Sequence, residues 1–304
     1  MSADDVQPLS AFNARDLEPA RYFPVSAKPL VMEAGFNQMS TDFGNGPREQ
    51  LFFQRDREWA RYLEAKRGVE PERAWAALRA EEHVALHCEA LSWLCETQRA
   101  ELDEAPAVET LSLIEGLRSG ARPQDAALSA AYRELSLKAQ EDIALLAERP
   151  ASSLIMGEIS MPSHWAPQRI KEASFWEIHE PVPGFPRDER VSSRLGAMIA
   201  ARGPLVRFVW TVACDERLDH HPRHGRTPWE EAEGLWFRVE RQVTVPLKGL
   251  GALFLIRTYL YPLAELEPSQ RLTLSEALKI MPEEVARYKG LWGGRDLICE
   301  ALSP

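Results

Sequence analysis

The chain changes character at Pro150. From about Pro47 to that point run long amphipathic patterns, with apolar residues recurring every three or four positions. Beyond it come short segments rich in β-branched and aromatic residues, separated by Pro, Gly and charged clusters. A period near 3.6 predicts helices and a period of two predicts half-buried strands. Helices first and strands second, with no regular βαβ alternation, predict an α+β fold with a mostly antiparallel sheet. The helical patterns cover 47–68, 71–102, 107–120 and 123–149. Pro71 and Pro123 fall where first-turn prolines belong, and Gly68 and Gly120 follow the periodic runs as C-caps. Strands are predicted over 154–161, 205–213, 235–245 and 252–261, with a further one over 28–36. The last two strands of the C-terminal half are joined by 246–251, short enough for an antiparallel hairpin. The stretch 273–288 returns to helix despite Pro282, and no fixed-period repeat is present. The expected organisation is an irregular lead-in over 1–27, one domain over 28–265 that includes the helical region 47–149, and a helical tail over 266–304.

Composition narrows the function classes. Thirty-six Lys and Arg against 46 Asp and Glu leave a net charge of −10. Phosphate binding needs a basic face that releases counterions, so a nucleic-acid binder is a poor description. Four cysteines, Cys88, Cys95, Cys214 and Cys299, share no short spacing, which argues against a disulfide framework or a zinc ribbon and fits a reducing compartment. The acidic N-terminus lacks the form of a signal peptide, and no apolar run is long enough to span a bilayer. A cytoplasmic protein with no membrane partner is expected.

Phosphate loops are excluded first. Gly249-Leu250-Gly251 opens like a dinucleotide fingerprint, but Phe254 stands where the last glycine belongs and a strand follows, not a helix. His83 and His87 share a helix face, as metal ligands or as part of a packing stripe with Ala76, Ala80, Ala90 and Leu94. His220-His221-Pro222-Arg223-His224, with Arg217 and Arg226 nearby, reads as a solvated loop or as a basic docking surface for an anion. Strand 235–245 is the most informative. Alternation gives one face Leu235, Phe237, Val239, Arg241, Val243 and Val245, and the other Trp236, Arg238, Glu240, Gln242 and Thr244. Arg241 is therefore the single charge on an apolar face, and it demands an internal partner or a bound anion. The next strand places Arg257 and Tyr259 on one face, so a cross-strand ladder of Arg238, Glu240 and Arg257 stands beside a functional reading of the same residues. Finally, His179 is followed by Pro181, Pro183 and Gly184. A histidine restrained in this way suits either a packed, hydrogen-bonded role or axial ligation of a metal or haem.

Several segments, in order, carry a resemblance. They are 28–36 with Asp56 and Trp59, Gln140-Glu141-Asp142, Met161-Pro162-Ser163-His164-Trp165, Ile178-His179-Glu180-Pro181-Val182-Pro183-Gly184, Arg238-Val239-Glu240-Arg241-Gln242, and Phe254-Leu255-Ile256-Arg257-Thr258-Tyr259. Together they resemble the haem-dependent oxidative N-demethylase alpha-subunit-like family. The resemblance implies a PAS-like antiparallel sheet covered by the N-terminal helical region and enclosing haem b. It also implies O2-dependent oxidation of a small secondary amine to a primary amine and formaldehyde. Electrons would come from NADPH through a flavin and an iron–sulfur centre. On this resemblance His179 ligates the iron, with Arg241, His164 and Arg257 as further cofactor-binding residues. Glu240, Arg238 and Tyr259 become the catalytic candidates. The residues agree on two points. No Cys-x-x-Cys-His is present, so the haem would be non-covalent, and the scattered cysteines offer no iron–sulfur motif, which assigns the electron carriers to a partner reductase subunit. Val209-Trp210 stands where the family pattern has Asn-Trp. A non-catalytic haem sensor or carrier, and a cofactor-free binding module, are the rival readings.

Overall fold

The structure is a computed structural model of the chain in which residues 17–27, 35–79, 81–148, 153–186 and 188–303 are described. One antiparallel sheet of seven strands organises them. The strands are β1 (Asn37–Gln38), β2 (Ala74–Ala76), β3 (Asp142–Ala147), β4 (Leu154–Glu158), β5 (Leu205–Ala213), β6 (Trp236–Leu247) and β7 (Gly251–Pro262), in the spatial order β1-β5-β6-β7-β3-β4-β2. The α+β reading holds. The hairpin between β6 and β7 closes on the pair Leu247 and Gly251, and its turn puts Lys248 (φ 45°) and Gly249 (φ 75°) in the left-handed region.

Several boundaries differ from the expected ones. Asp142–Ala147, expected as the end of a helix, is strand β3, because α4 (Asp125–Ser136), which follows α3 (Val108–Arg118), stops short of it. All six residues of β3 are buried between β4 and β7. A strand covered on both faces loses its two-residue alternation, and its apolar run is then open to either period. The expected helix over 71–102 contains β2 and begins as α2 only at Glu82. Of the expected helix over 47–68, only α1 (Trp59–Arg67) is α-helical, and residues 51–56 are irregular. Residues 28–34 of the expected strand over 28–36 lie outside the described residues, Gly35 and Phe36 are not strand, and the pairing with β5 is made by β1. The stretch 273–288 is split at Pro282 into α7 (Pro268–Ile280) and α8 (Glu283–Tyr288).

Strand parity gives the sheet two unlike faces. On the first, Val243, Val245, Leu253 and Leu255 join Leu86, Ala90, Leu91 and Leu94 of α2 in one core. Further along the same face, Phe237, Val239 and Tyr259 join Leu274, Ala277 and Leu278 of α7 and Ile298 of α9 (Arg295–Ala301) in another. Arg241 and Arg257, directly opposed across β6 and β7, stand between the two cores. Over them lies the irregular strap 51–56, whose backbone bonds to buried side chains instead of to a ladder. Arg241 donates to the carbonyls of Glu49 (3.1 Å), Leu51 (2.9 Å) and Phe52 (3.5 Å). Glu101 accepts from the amides of Phe52 and Phe53, Glu141 from Gln54, and Gln140 from Asp56. Arg257 donates to Asp56 at 2.7 Å, and both side chains are buried.

The Asp56–Arg257 pair gives a stability prediction. Asp56→Ala would leave a buried guanidinium uncompensated, and we expect a loss of about 3–5 kcal/mol, read from urea unfolding. A change under about 1 kcal/mol would remove the strap from the account of stability.

Candidate functional site

Among the described residues, the second face is only partly covered, Phe254 packing against two apolar clusters at its edge. Its residues on the three central strands include Arg207, Val209 and Thr211 from β5, Glu240 and Gln242 from β6, and Phe254, Ile256 and Leu260 from β7. All are half-buried, whereas the opposite face of β6 and β7 is buried. Two structures border the open middle. At one end α5 (Phe175–His179) and α6 (Glu189–Ala201) cover Leu146 and Ala252 through Phe175, Phe185 and Ile199. At the other, Met161 and Leu218 pack with Leu260.

His179 closes α5, which the Ser174 capping box starts. Its ring stacks on Phe185 (5.0 Å between centroids) and lies against Phe175 (4.2 Å). Nδ1 is 2.8 Å from the Phe175 carbonyl, so Nδ1 carries the hydrogen and donates it, and the lone pair is on Nε2. Nε2 has no hydrogen-bond partner among the described residues. Burial pulls the pKa of His179 from 6.5 down to about 4, the carbonyl opposing and Arg207 adding to the shift. The ring is therefore neutral at physiological pH.

Across the open face runs a chain of side-chain bonds. Arg207 Nε donates to Gln242 Oε1 (2.7 Å), and Gln242 Nε2 donates to Glu240 Oε2 (2.9 Å). Ser163 Oγ donates to Glu240 Oε1 (2.5 Å) and accepts from Arg238 Nε (2.9 Å). Arg238 is buried and engaged at all three nitrogens, donating also to the carbonyls of Met161, Arg217 and Leu218. Both oxygens of Glu240 are thus oriented by protein donors. His164, next to Ser163, adopts a left-handed backbone (φ 64°) and stacks on His220 at 4.7 Å. Burial, with help from Arg226, lowers its pKa to about 3.

The sheet therefore divides the candidate residues. His179, His164, Glu240 and Arg238 belong to the open face and its borders. Arg241, Arg257 and Tyr259 are on the other, where Tyr259 donates to Gln54 Oε1. A ladder of Arg238, Glu240 and Arg257 does not form, because Arg257 opposes Arg241 and pairs with Asp56. The partner Arg241 demands is internal, and it is carbonyl oxygen. His87 bonds Tyr132 and the Ala77 carbonyl, His83 accepts from the Arg79 amide, and no metal-holding group of three or more His, Cys, Asp or Glu exists among the described residues. The loop at 220–224 is solvated only in part: His220 and His221 are buried, whereas Pro222, Arg223 and His224 are exposed. Its histidines bond Asp215, Gln168 and Asp219, Arg217 pairs with Asp215, and Arg223 pairs with Glu70. Arg207 was not among the sequence candidates, although it is the one charge in the apolar strand β5.

A family model described as haem-dependent oxidative N-demethylase, alpha subunit-like, matches residues 50–299. The chain belongs to this family. Among curated proteins nothing matches it. For this member of the N-demethylase alpha-subunit-like family, no helix among the described residues is long and apolar enough to cross a membrane.

The lowered pKa of His179 sets a pH dependence. Between pH 6.5 and about 4 the unfolded chain binds a proton at this position that the folded chain does not, so stability falls as pH falls. His179→Gln removes that proton. Through this window the wild-type stability curve should be steeper than the variant's by up to about 1.4 kcal/mol per pH unit. Parallel curves in pH-resolved urea titrations would mean that the ring is not desolvated.

Proposed function

We propose that the chain is a haem-dependent oxidative N-demethylase built on a PAS-like core, with His179 as the residue that would hold the iron of a non-covalent haem b. The observation that carries this reading is the imine nitrogen of His179. Its ring is neutral, its tautomer is fixed by a backbone carbonyl, and its Nε2 lone pair has no partner among the described residues beside a half-open sheet face. That is the donor chemistry expected of a proximal histidine. The half-buried Phe254, Ile256 and Val209 offer the apolar wall that a porphyrin needs. When bound, haem supplies activation of O2 after reduction.

The chain's own residues hold the rest of the site in place. Ser163 and Gln242 fix the Glu240 carboxylate before a substrate arrives, so it is set to bind an ammonium group and to take or return a proton at an Oε atom. Arg238 holds Ser163, and neutral His164 closes the border without adding charge. Arg241, Arg257 and Tyr259 act from the far face by fixing the strap and the two strands. Overall, a secondary methylamine, O2, two electrons and two protons give a primary amine, formaldehyde and water. The four cysteines are free thiols, scattered through the chain. On the family resemblance, the electrons come from NADPH through the flavin and iron–sulfur centre of a partner reductase in the cytoplasm. Val209, beside Glu240 in register, favours one second reading, a haem carrier or sensor, because it gives bound gas no donor where the family pattern has Asn.

The visible spectrum tests both readings. A Soret band that His179→Ala abolishes is expected, and haem binding untouched by that change overturns the ligand. In the reduced, oxygenated protein presented with a panel of small amines, formaldehyde is expected, and its absence with every amine selects the carrier. Glu240→Gln should keep the haem and lower turnover by about 10²–10⁴-fold. Undiminished turnover in that variant would dismiss Glu240 as the acid–base group.

A further inference from the structure

We propose that Arg207 is a carboxylate-binding residue on the open sheet face. Every other guanidinium on the central strands is answered by protein. Arg238 reaches Ser163 and three carbonyls, Arg241 three carbonyls, and Arg257 both Asp56 and the Thr258 carbonyl. Arg207 has one polar acceptor, the neutral Gln242 amide, and lies over the Phe36 ring at 5.6 Å. It forms no ion pair with any described residue, and its two terminal nitrogens bond to nothing there. An arginine largely withdrawn from water costs several kcal/mol unless an anion meets it. Its planar fork suits the two oxygens of a carboxylate.

The nearest carboxylate does not fill that need. Glu240 stands one link further along the chain of bonds, already engaged by Ser163 and Gln242. Gln242 accepts from the cation and donates to the anion, so it spaces the two charges and keeps them from neutralising each other. The other ionisable groups facing Arg207 do not supply an anion either. His179 is neutral, Lys289 donates to the Trp210 carbonyl at 2.6 Å, and Tyr288 keeps its proton because burial raises its pKa. The terminal nitrogens of Arg207 are thus the donors on this face that no described residue engages, and they suit one negative group.

Two ligands carry that chemistry, a haem propionate and the carboxylate of a substrate such as an N-methyl amino acid. The first source rests on the haem reading above, and the second does not. The test compares wild type with Arg207→Gln and Arg207→Lys. Haem b should dissociate from wild type about tenfold or more slowly than haem dimethyl ester, as expected for a charge-assisted hydrogen-bonded pair, with the difference lost in Arg207→Gln and partly kept in Arg207→Lys. This result assigns the propionate. Equal dissociation of the two haems from wild type, together with a rise in melting temperature on adding acetate or N-methylglycine that Arg207→Gln abolishes, assigns the substrate carboxylate. If wild type takes up no haem, the haem reading fails, and the melting arm alone decides Arg207. Arg207→Gln should itself melt no lower than wild type, because it removes an unanswered charge. Discrimination between the haems that survives in Arg207→Gln, or no carboxylate effect in either arm, overturns the proposal.

Discussion

The arrangement depends on two arginines facing each other across β6 and β7. Adjacent like charges on a sheet repel, and here both are buried. They are tolerated because the strap 51–56 lies over them, giving Arg241, together with Glu49 just before it, a row of carbonyls and Arg257 the carboxylate of Asp56. The strap depends equally on them. An irregular backbone buried in the interior must find partners for each amide and carbonyl, and those of the strap come from Arg241, Glu101, Glu141 and Gln140. Removing either side leaves the other with buried, unsatisfied polar groups, which cost more than the bonds themselves gain.

This interlock also joins the helical half of the chain to the strand half. Glu101 ends α2 on one core, and Gln140 and Glu141 precede β3. Gln54 takes the Tyr259 hydroxyl at the border of the other core. A sheet face with two separate apolar clusters could slide or open between them. A polar strap with directional bonds fixes the register where apolar contacts alone would not, and it leaves the second face free of any supporting duty.

How much of this the sequence shows depends on where partners come from. The alternation in 235–245 assigns the faces of β6 correctly, and it marks Arg241 as a charge in need of an answer. The answer is invisible in the sequence, because backbone carbonyls of an irregular segment have no side-chain signature. The spacing of Asp142–Ala147 is compatible with a helix, and only burial between two neighbours makes it β3. His220 and His221 look solvated until Asp215 and Gln168 fold against them, whereas His224 stays exposed while bonding Asp219. In β5 the signal exists: Leu205–Ala213 contains one charged residue, and the argument that singles out Arg241 in β6 applies equally to Arg207. The pair differs in outcome because the strap lies over one face of the sheet, whereas among the described residues no such strap lies over Arg207 on the other.

That asymmetry links stability to chemistry. On the first face every charge is matched inside the fold, and the cost of burying it is met during folding. On the second, Glu240 is held by two donors, Arg207 by one amide, and the His179 Nε2, which burial keeps unprotonated at neutral pH, has no partner among the described residues. Groups oriented by the fold but left unsaturated are what a binding site requires, since their remaining valences are met by a ligand and not by solvent. The far-face arginines hold β6 and β7 in the register that places Glu240 beside Val209 and Gln242 beside Arg207. The geometry of the open face is thus set from behind, by residues that touch nothing bound there.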